Sequence, residues 1–182
     1  MVEASTPTPE EAIPSVLLPE ALSPFELGWL TGTLDGEGSV GLTRHLTTIR
    51  PQVQVNTTCG ETAAQILALY ERLGVRGRGY VYQEKKPDRH RPSHLVTASR
   101  LIDCYRLAEA VGPGAVTKRE QWRVVLEFCE LRLSRAEVDE LGRVRRGGDW
   151  RTRNFSYGAR EHALYEEIRD LNRRGPRAAR AA

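Results

Sequence analysis

Two carboxylates stand close together in Leu30-Thr31-Gly32-Thr33-Leu34-Asp35-Gly36-Glu37-Gly38. If this segment is a helix that ends at Gly36, its last carbonyls are unpaired and its C-terminus carries partial negative charge. That end favours a cation. Carboxylates such as Glu37, a backbone carbonyl such as that of Gly36, and phosphate oxygens form a hard-oxygen environment suited to Mg²⁺. An ion so held activates water and stabilises a leaving 3′-oxygen in phosphodiester cleavage. A glycine-rich turn with two incidental acids has the same short pattern, so the rest of the chain must decide between them.

Gly28, Gly32 and Gly36 recur at i, i+4 and i+8, one face of a helix. Each glycine inside a helix costs about 1 kcal/mol relative to alanine, so three on one face call for a packing reason. A second helix backbone approaching there would bring two such helix ends, and their carboxylates, together. The chain has no internal repeat and no second copy of the segment; Leu101-Ile102-Asp103 is a fragment without the glycines. The expected partner is therefore a second copy of the chain, in a two-fold dimer through Gly28 and Gly32, with Asp35 at the same seam.

A second pattern suits nucleic acid. Arg50, Gln52, Gln54 and Asn56 alternate with Val53 and Val55, which puts the polar side chains on one face of a strand. Arg suits guanine, while Gln and Asn suit adenine, in the major groove. A solvated sheet face alternates in the same way. Thr43, His45, Tyr80, Tyr82, Thr97 and Ser99 are further candidates on neighbouring strands. Arg143-Val144-Arg145-Arg146-Gly147-Gly148-Asp149-Trp150-Arg151-Thr152-Arg153 carries five arginines and one acid, a composition fit for phosphate contacts.

The elements that position these groups follow from periodicity and punctuation. Ser23-Pro24-Phe25-Glu26 is a helix start, with a serine cap, proline at the first position and Glu26 closing a capping box. A helix over about 24–36 follows, then strands near 39–43 and 50–56. Residues 61–73 read as an amphipathic helix stopped by Gly74. Residues 79–83 and 94–99 read as a second hairpin, with helices at about 100–111, 118–132 and 158–173. The expected class is α+β, an αββαββα order with one antiparallel sheet, helices packed on one face, and further C-terminal helices. Residues 1–22, with four prolines, read as a flexible arm, 23–174 as the domain, and 175–182 as a disordered tail.

Composition sets the outer limits. A chain of 182 residues suits one domain. No run approaches the roughly 18 apolar residues of a membrane span, and no basic-then-apolar leader opens the chain. Cys59, Cys104 and Cys129 form no CxxC pair, so neither a disulfide framework nor a zinc knuckle is indicated. His90 and His94 have helical ligand spacing, but Pro92 between them argues for incidental loop histidines. The net charge of +3 conceals an asymmetry: no Lys or Arg precedes Arg44, where seven acids occur, so the remainder carries 27 basic against 17 acidic residues. A basic body suits a polyanionic partner, because neutralising phosphates releases condensed counterions.

The segment Leu30–Gly38 resembles the LAGLIDADG motif, with Leu30, Gly32, Leu34, Asp35 and Gly38 at their places and Glu37 where the family carries its metal-binding acid. The resemblance runs from about Leu27 to Arg173 and is greatest to the single-motif, homodimeric (I-CreI-like) branch of the homing endonucleases. Gln54-Val55-Asn56-Thr57 matches the strand end bordering the active site, though the family often has a longer polar side chain at Thr57. Gly77–Val81 matches the entry to the third strand. Pro113, then Lys118-Arg119-Glu120-Gln121, resembles the start of the third core helix, which matches Lys118 to the family's catalytic lysine. Arg151-Thr152-Arg153 resembles its phosphate-contacting loop. The resemblance implies cleavage of double-stranded DNA at a long near-palindromic site with 3′ overhangs, an intron host, and Mg²⁺. Mn²⁺ would substitute, and Ca²⁺ would bind without supporting cleavage. The other implied class is a non-cleaving relative, an RNA maturase or a DNA-binding regulator. The Arg/Ala-rich composition points to a bacterial cytoplasm, at the nucleoid, ahead of an organelle.

Overall fold

The structure is a computed structural model that describes residues 21–46, 48–82, 92–134 and 157–173. Its elements in order are α1 (Pro24–Gly36), β1 (Gly38–His45), β2 (Thr48–Thr57), α2 (Gly60–Arg72), β3 (Arg78–Tyr82), β4 (Ser93–Ala98), α3 (Leu101–Val111), a 3-10 turn (Gly112–Gly114), α4 (Arg119–Leu133) and α5 (Ala159–Arg173). The expected α+β class and αββαββα order are both present.

The start of α1 is fixed locally. Glu26 N donates to Ser23 Oγ at 3.3 Å, and Ser23 N donates to Glu26 Oε2 at 2.8 Å, which satisfies two otherwise orphaned donors. The other Glu26 oxygen pairs with Arg72 at the end of α2. The Ser23 side-chain and backbone bonds, followed by Arg72, hold the Glu26 carboxyl at about 2, against an ordinary 4.5. Ala21 and Leu22, read as arm, are tied to the body: Arg72 donates to the Ala21 carbonyl at 3.3 Å and Leu22 packs on the core.

The sheet runs β1-β2-β4-β3 with every neighbour antiparallel. Alternation along β2 buries Ile49, Pro51, Val53 and Val55 and turns Arg50, Gln52, Gln54 and Asn56 to the other side. Pro51 lies where β2 pairs with β1 alone, so the amide it lacks is not missed by β4. The buried face meets Leu30 and Leu34 of α1, Ile66 and Tyr70 of α2, Leu107 of α3, and Trp122, Val125 and Phe128 of α4 in one core. Each such side chain contributes about 1.5–3 kcal/mol by leaving water. The helices therefore cover one face of the sheet and leave the other open.

Most boundaries differ from expectation by one or two residues, and three of these differences bear on candidate residues. β3 starts at Arg78, one residue early, and ends at Tyr82. α4 starts at Arg119, leaving Lys118 as the residue before it. β4 stops at Ala98, so exposed Ser99 is past the ladder. His94 sits in β4 with its imidazole against Gly60, not on a helix, while His90 lies outside the described residues. So do the basic loop with Arg151, Thr152 and Arg153, residues 1–20 of the arm, and the tail from 174. No helix among the described residues is long and apolar enough to cross a membrane.

Candidate active site

The glycines around the acids divide into two kinds. A Cβ on Gly38 would lie 2.4 Å from the Leu34 carbonyl oxygen, so the sharp passage from α1 into β1 requires glycine there. A Cβ on Gly28, Gly32 or Gly36 meets nothing within 4 Å. Nothing among the described residues needs those three to be glycine. They lie on the exposed side of α1, opposite buried Leu30, Thr31, Leu34 and Asp35. Two apolar side chains on the surface, Phe25 at 80% exposed on the same helix and Val116 at 76%, are the most exposed of their kind besides Leu46.

Asp35, expected at an intermolecular seam, faces inward within its own chain. It is 8% exposed, and its carboxylate holds the turn leading into α4. Val116 N and Thr117 N donate to Oδ2 at 3.0 and 2.8 Å, and Lys118 N donates to Oδ1 at 2.7 Å. Burial alone would raise this carboxyl; the backbone N–H groups of Thr117, Lys118 and Val116, with the Thr117 hydroxyl, outweigh it and hold it below its ordinary value. The exchange is reciprocal. Thr117 Oγ1 donates to the Asp35 carbonyl at 2.9 Å, and Lys118 Nζ donates to the same carbonyl and to that of Gly36, the latter at 3.4 Å. A cation thus stands at the C-terminus of α1, where the helix dipole favours one.

Glu37 caps α1 through its backbone, donating to the Thr33 carbonyl at 2.9 Å, while its side chain is exposed and without a hydrogen-bond or ion-pair partner among the described residues. The sheet register sets Gly38 opposite Val55, so Glu37 stands at the same sheet end as Asn56 and Thr57. Thr57 is half-buried there, and its Oγ1 accepts the Cys59 amide at 3.1 Å. A free carboxylate beside a helix-end carbonyl is an oxygen donor set that fits a hard divalent ion. One chain supplies one carboxylate and one carbonyl; no group of three or more His, Cys, Asp or Glu able to hold a metal occurs among the described residues.

The open face reads in rows across the strands. His45 is opposite Thr48, Thr43 opposite Arg50, and Gly41 opposite Gln52. Ser39, Gln54, Thr97 and Arg78 form one continuous row over all four strands, and Asn56, Leu95 and Tyr80 the next. Ser93 faces Tyr82, and its hydroxyl donates to Asn56 Oδ1. Among these positions there are two arginines and no acid. Thr43, His45, Arg50, Asn56, Tyr80 and Tyr82 are exposed, and Gln52 and Gln54 half-buried. Thr97 is the exception at 8% exposed, with an unpartnered hydroxyl, because a short side chain in an inner strand lies between the longer Gln54 and Arg78.

Arg78 and Leu95 were not among the sequence candidates. Arg78 falls one residue before the expected strand start, and Leu95 breaks the polar pattern of an open face. Several arginines elsewhere are ion-paired. Arg123 is paired with Glu120, Glu127 and Glu167, Arg160 with Glu127, and Arg169 with Glu166. Arg50 and Arg78 have no such partner among the described residues.

The structure matches an archaeal intron-encoded homing endonuclease, I-Vdi141I, solved in complex with DNA, over 81% of this chain and 84% of that one, with a TM-score of 0.56 and 14% identity. The chain has the homing-endonuclease fold. Weaker matches are to the homing endonuclease I-CvuI (81% of this chain, 95% of that one, TM-score 0.46, 16% identity) and to the LAGLIDADG homing endonuclease I-GzeII (80% of this chain, 43% of that one, TM-score 0.49, 12% identity). No family model matches the sequence, and no curated protein does so significantly. Within this fold, α1 delivers Glu37 to one end of the sheet, and the α1–α4 junction delivers Lys118 beside it.

Proposed function

We propose that this chain is a site-specific, metal-dependent double-strand DNA endonuclease of the homing-endonuclease type, working as a homodimer on a long near-palindromic site. One observation carries the reading: a sheet face on which the described residues include no acid and leave Arg50 and Arg78 without an acidic partner ends beside Lys118 and a Glu37 carboxylate with no partner among them. The I-Vdi141I structure, a DNA complex in the same fold, supports it.

In this reading the open face lies in the major groove. Arg50 and Arg78 seek guanine, Gln52, Gln54 and Asn56 seek adenine, and Leu95 suits a thymine methyl. Glu37 and the Gly36 carbonyl would hold Mg²⁺ or Mn²⁺, which would supply water activation and charge neutralisation. Lys118 stabilises negative charge on the phosphate as a point cation. Thr57, whose hydroxyl proton is not used by the Cys59 amide, orients water at the sheet end. The Arg151-Thr152-Arg153 loop adds phosphate contacts, and Ser99 borders the groove.

The dimer follows from the glycines. Three glycines that the chain's own packing does not need each cost α1 about 1 kcal/mol, which a closely packed second α1 offsets. The two chains then bring two Glu37 side chains together. Incubating the full chain with a randomised library of DNA sites and Mg²⁺, then sequencing the ends, tests the proposal. Enrichment of one near-palindromic family of cut sites is expected. Binding of a preferred site with no cutting in Mg²⁺ or Mn²⁺ would identify a non-cleaving DNA-binding relative instead.

A further inference from the structure

We infer that Lys118 is a resident counter-cation for the C-terminus of α1, occupying in the metal-free protein the carbonyl that a divalent ion shares when it binds. The inference rests on the metal-dependent reading of Glu37 and Gly36 but concerns a different property of the site. Its basis is geometric. The Lys118 ammonium donates to the carbonyls of Asp35 and Gly36, two of the last acceptors of α1, which have no helical partner of their own.

The ammonium is also held there by its own backbone. Lys118 N is fixed on Asp35 Oδ1, and Thr117 and Val116 are fixed on Oδ2, so the base of the side chain cannot drift from the helix end. Only the flexible four-carbon stem is free to move. A divalent ion on the Gly36 carbonyl and Glu37 would sit within a few ångströms of that ammonium. Like charges at such separation repel, and both need the same carbonyl lone pairs. The ion therefore binds with displacement of Lys118, and the ammonium is left to swing towards any anionic group at the sheet end. Without metal, Lys118 neutralises the negative helix end that a bare Glu37 would otherwise intensify.

The inference predicts that removing the lysine charge tightens divalent binding while it weakens the metal-free fold. Ca²⁺ is the probe, read by the shift in unfolding temperature and by competition with Tb³⁺ luminescence, with no DNA present. Lys118→Met should unfold at lower temperature than wild type in EDTA and should bind Ca²⁺ about tenfold more tightly, the scale expected of one lost repulsion near a protein surface. Lys118→Arg keeps the charge and should bind Ca²⁺ as wild type does. In the wild-type protein, Ca²⁺ should move the NMR resonance of the Lys118 ε-methylene, a readout that depends on no variant.

Ca²⁺ affinity in Lys118→Met equal to or weaker than wild type overturns the inference, as does an unmoved Lys118 resonance at saturating Ca²⁺. Equal tightening in Lys118→Met and Lys118→Arg overturns it too, since charge would then not be the cause. These outcomes stand apart from the functional reading. A wild-type protein that cuts DNA keeps that reading even if Lys118→Met binds Ca²⁺ no better. A wild-type protein that never cuts loses it, while tighter Ca²⁺ binding in Lys118→Met still supports the counter-cation.

Discussion

Asp35 and Lys118 hold each other at both ends: Asp35 Oδ1 accepts the Lys118 backbone N–H at 2.7 Å, and the Lys118 ammonium donates to the Asp35 carbonyl. The two residues belong to the ends of different helices, α1 and α4, and neither α4 nor its preceding turn has a side-chain cap of its own. The junction thus sets where Lys118 stands relative to Glu37, two residues beyond Asp35. Local structure, tertiary packing and the candidate chemistry meet at one carboxylate.

Asp35→Ala should therefore cost more than a typical surface change. It leaves three part-buried amides, of Val116, Thr117 and Lys118, without their charged acceptor, a loss of about 2–4 kcal/mol. Asp35→Asn keeps an acceptor and should cost less. The sign of the pH effect follows from the lowered folded-state value. Stability from this carboxylate is fully present above its ordinary value of 3.8 and is lost as pH falls through the lower folded value. Denaturant titrations of wild type and Asp35→Ala at pH 7 and in the acid range check this; the gap between them should shrink on acidification. A constant gap would mean that the hydrogen bonds do not depend on the charge.

Base reading is the next expectation. Arg78→Ala and Gln54→Ala alter one row, on β3 and β2 with Thr97 of β4 between them, so each should relax preference at its own position of the half-site, by about 1–3 kcal/mol of discrimination. Thr97→Ala, in the same row but buried, should change preference little. Cleavage or binding profiles over a randomised library measure all three. Unchanged profiles for Arg78→Ala and Gln54→Ala together would take the row out of base recognition.

The parts of this site that were readable in the sequence are those set by local periodicity. The Arg50–Asn56 alternation gave the open face, and Ser23 with Glu26 gave the start of α1, because both depend on neighbours within four residues. The bonds of Asp35 to the turn before α4 were not legible, because its partners lie 81 to 83 residues away and no local pattern reveals them. Arg78 was missed for a smaller reason, since a strand boundary one residue out excludes a side chain at that end. Thr97 had the correct parity, but parity does not say how far longer neighbours cover a short side chain.

Glu37→Gln separates chemistry from binding. It keeps size and hydrogen bonding but removes the charge that suits a hard divalent ion, and the side chain is exposed and without a partner among the described residues, so the fold should not change. Cleavage should fall by several orders of magnitude, with DNA affinity in Ca²⁺ or EDTA largely retained because Arg50 and Arg78 are untouched. Single-turnover cleavage and gel-shift titrations measure the two separately. Normal cutting by Glu37→Gln would remove Glu37 from the role of metal ligand.

Gly32→Leu reports on a partner and not on the chain's own packing. Space around Gly32 is open, with no atom of the described residues within 4 Å of an added Cβ, so a side chain can leave the helix there. Leucine is also the better helix former, by most of 1 kcal/mol, and should leave the isolated fold as stable or slightly more so. A second α1 packed against this face would instead meet a side chain where it needs bare backbone. The expected result is a folded monomer by light scattering at micromolar concentration, where a dimer is expected of the natural chain, with double-strand cleavage abolished. Gly28→Ala, with one added methyl group on the same stripe, should give an intermediate dissociation constant. If Gly32→Leu remains as dimeric as the natural chain, α1 is not the seam, and the unneeded glycines of this helix require another explanation.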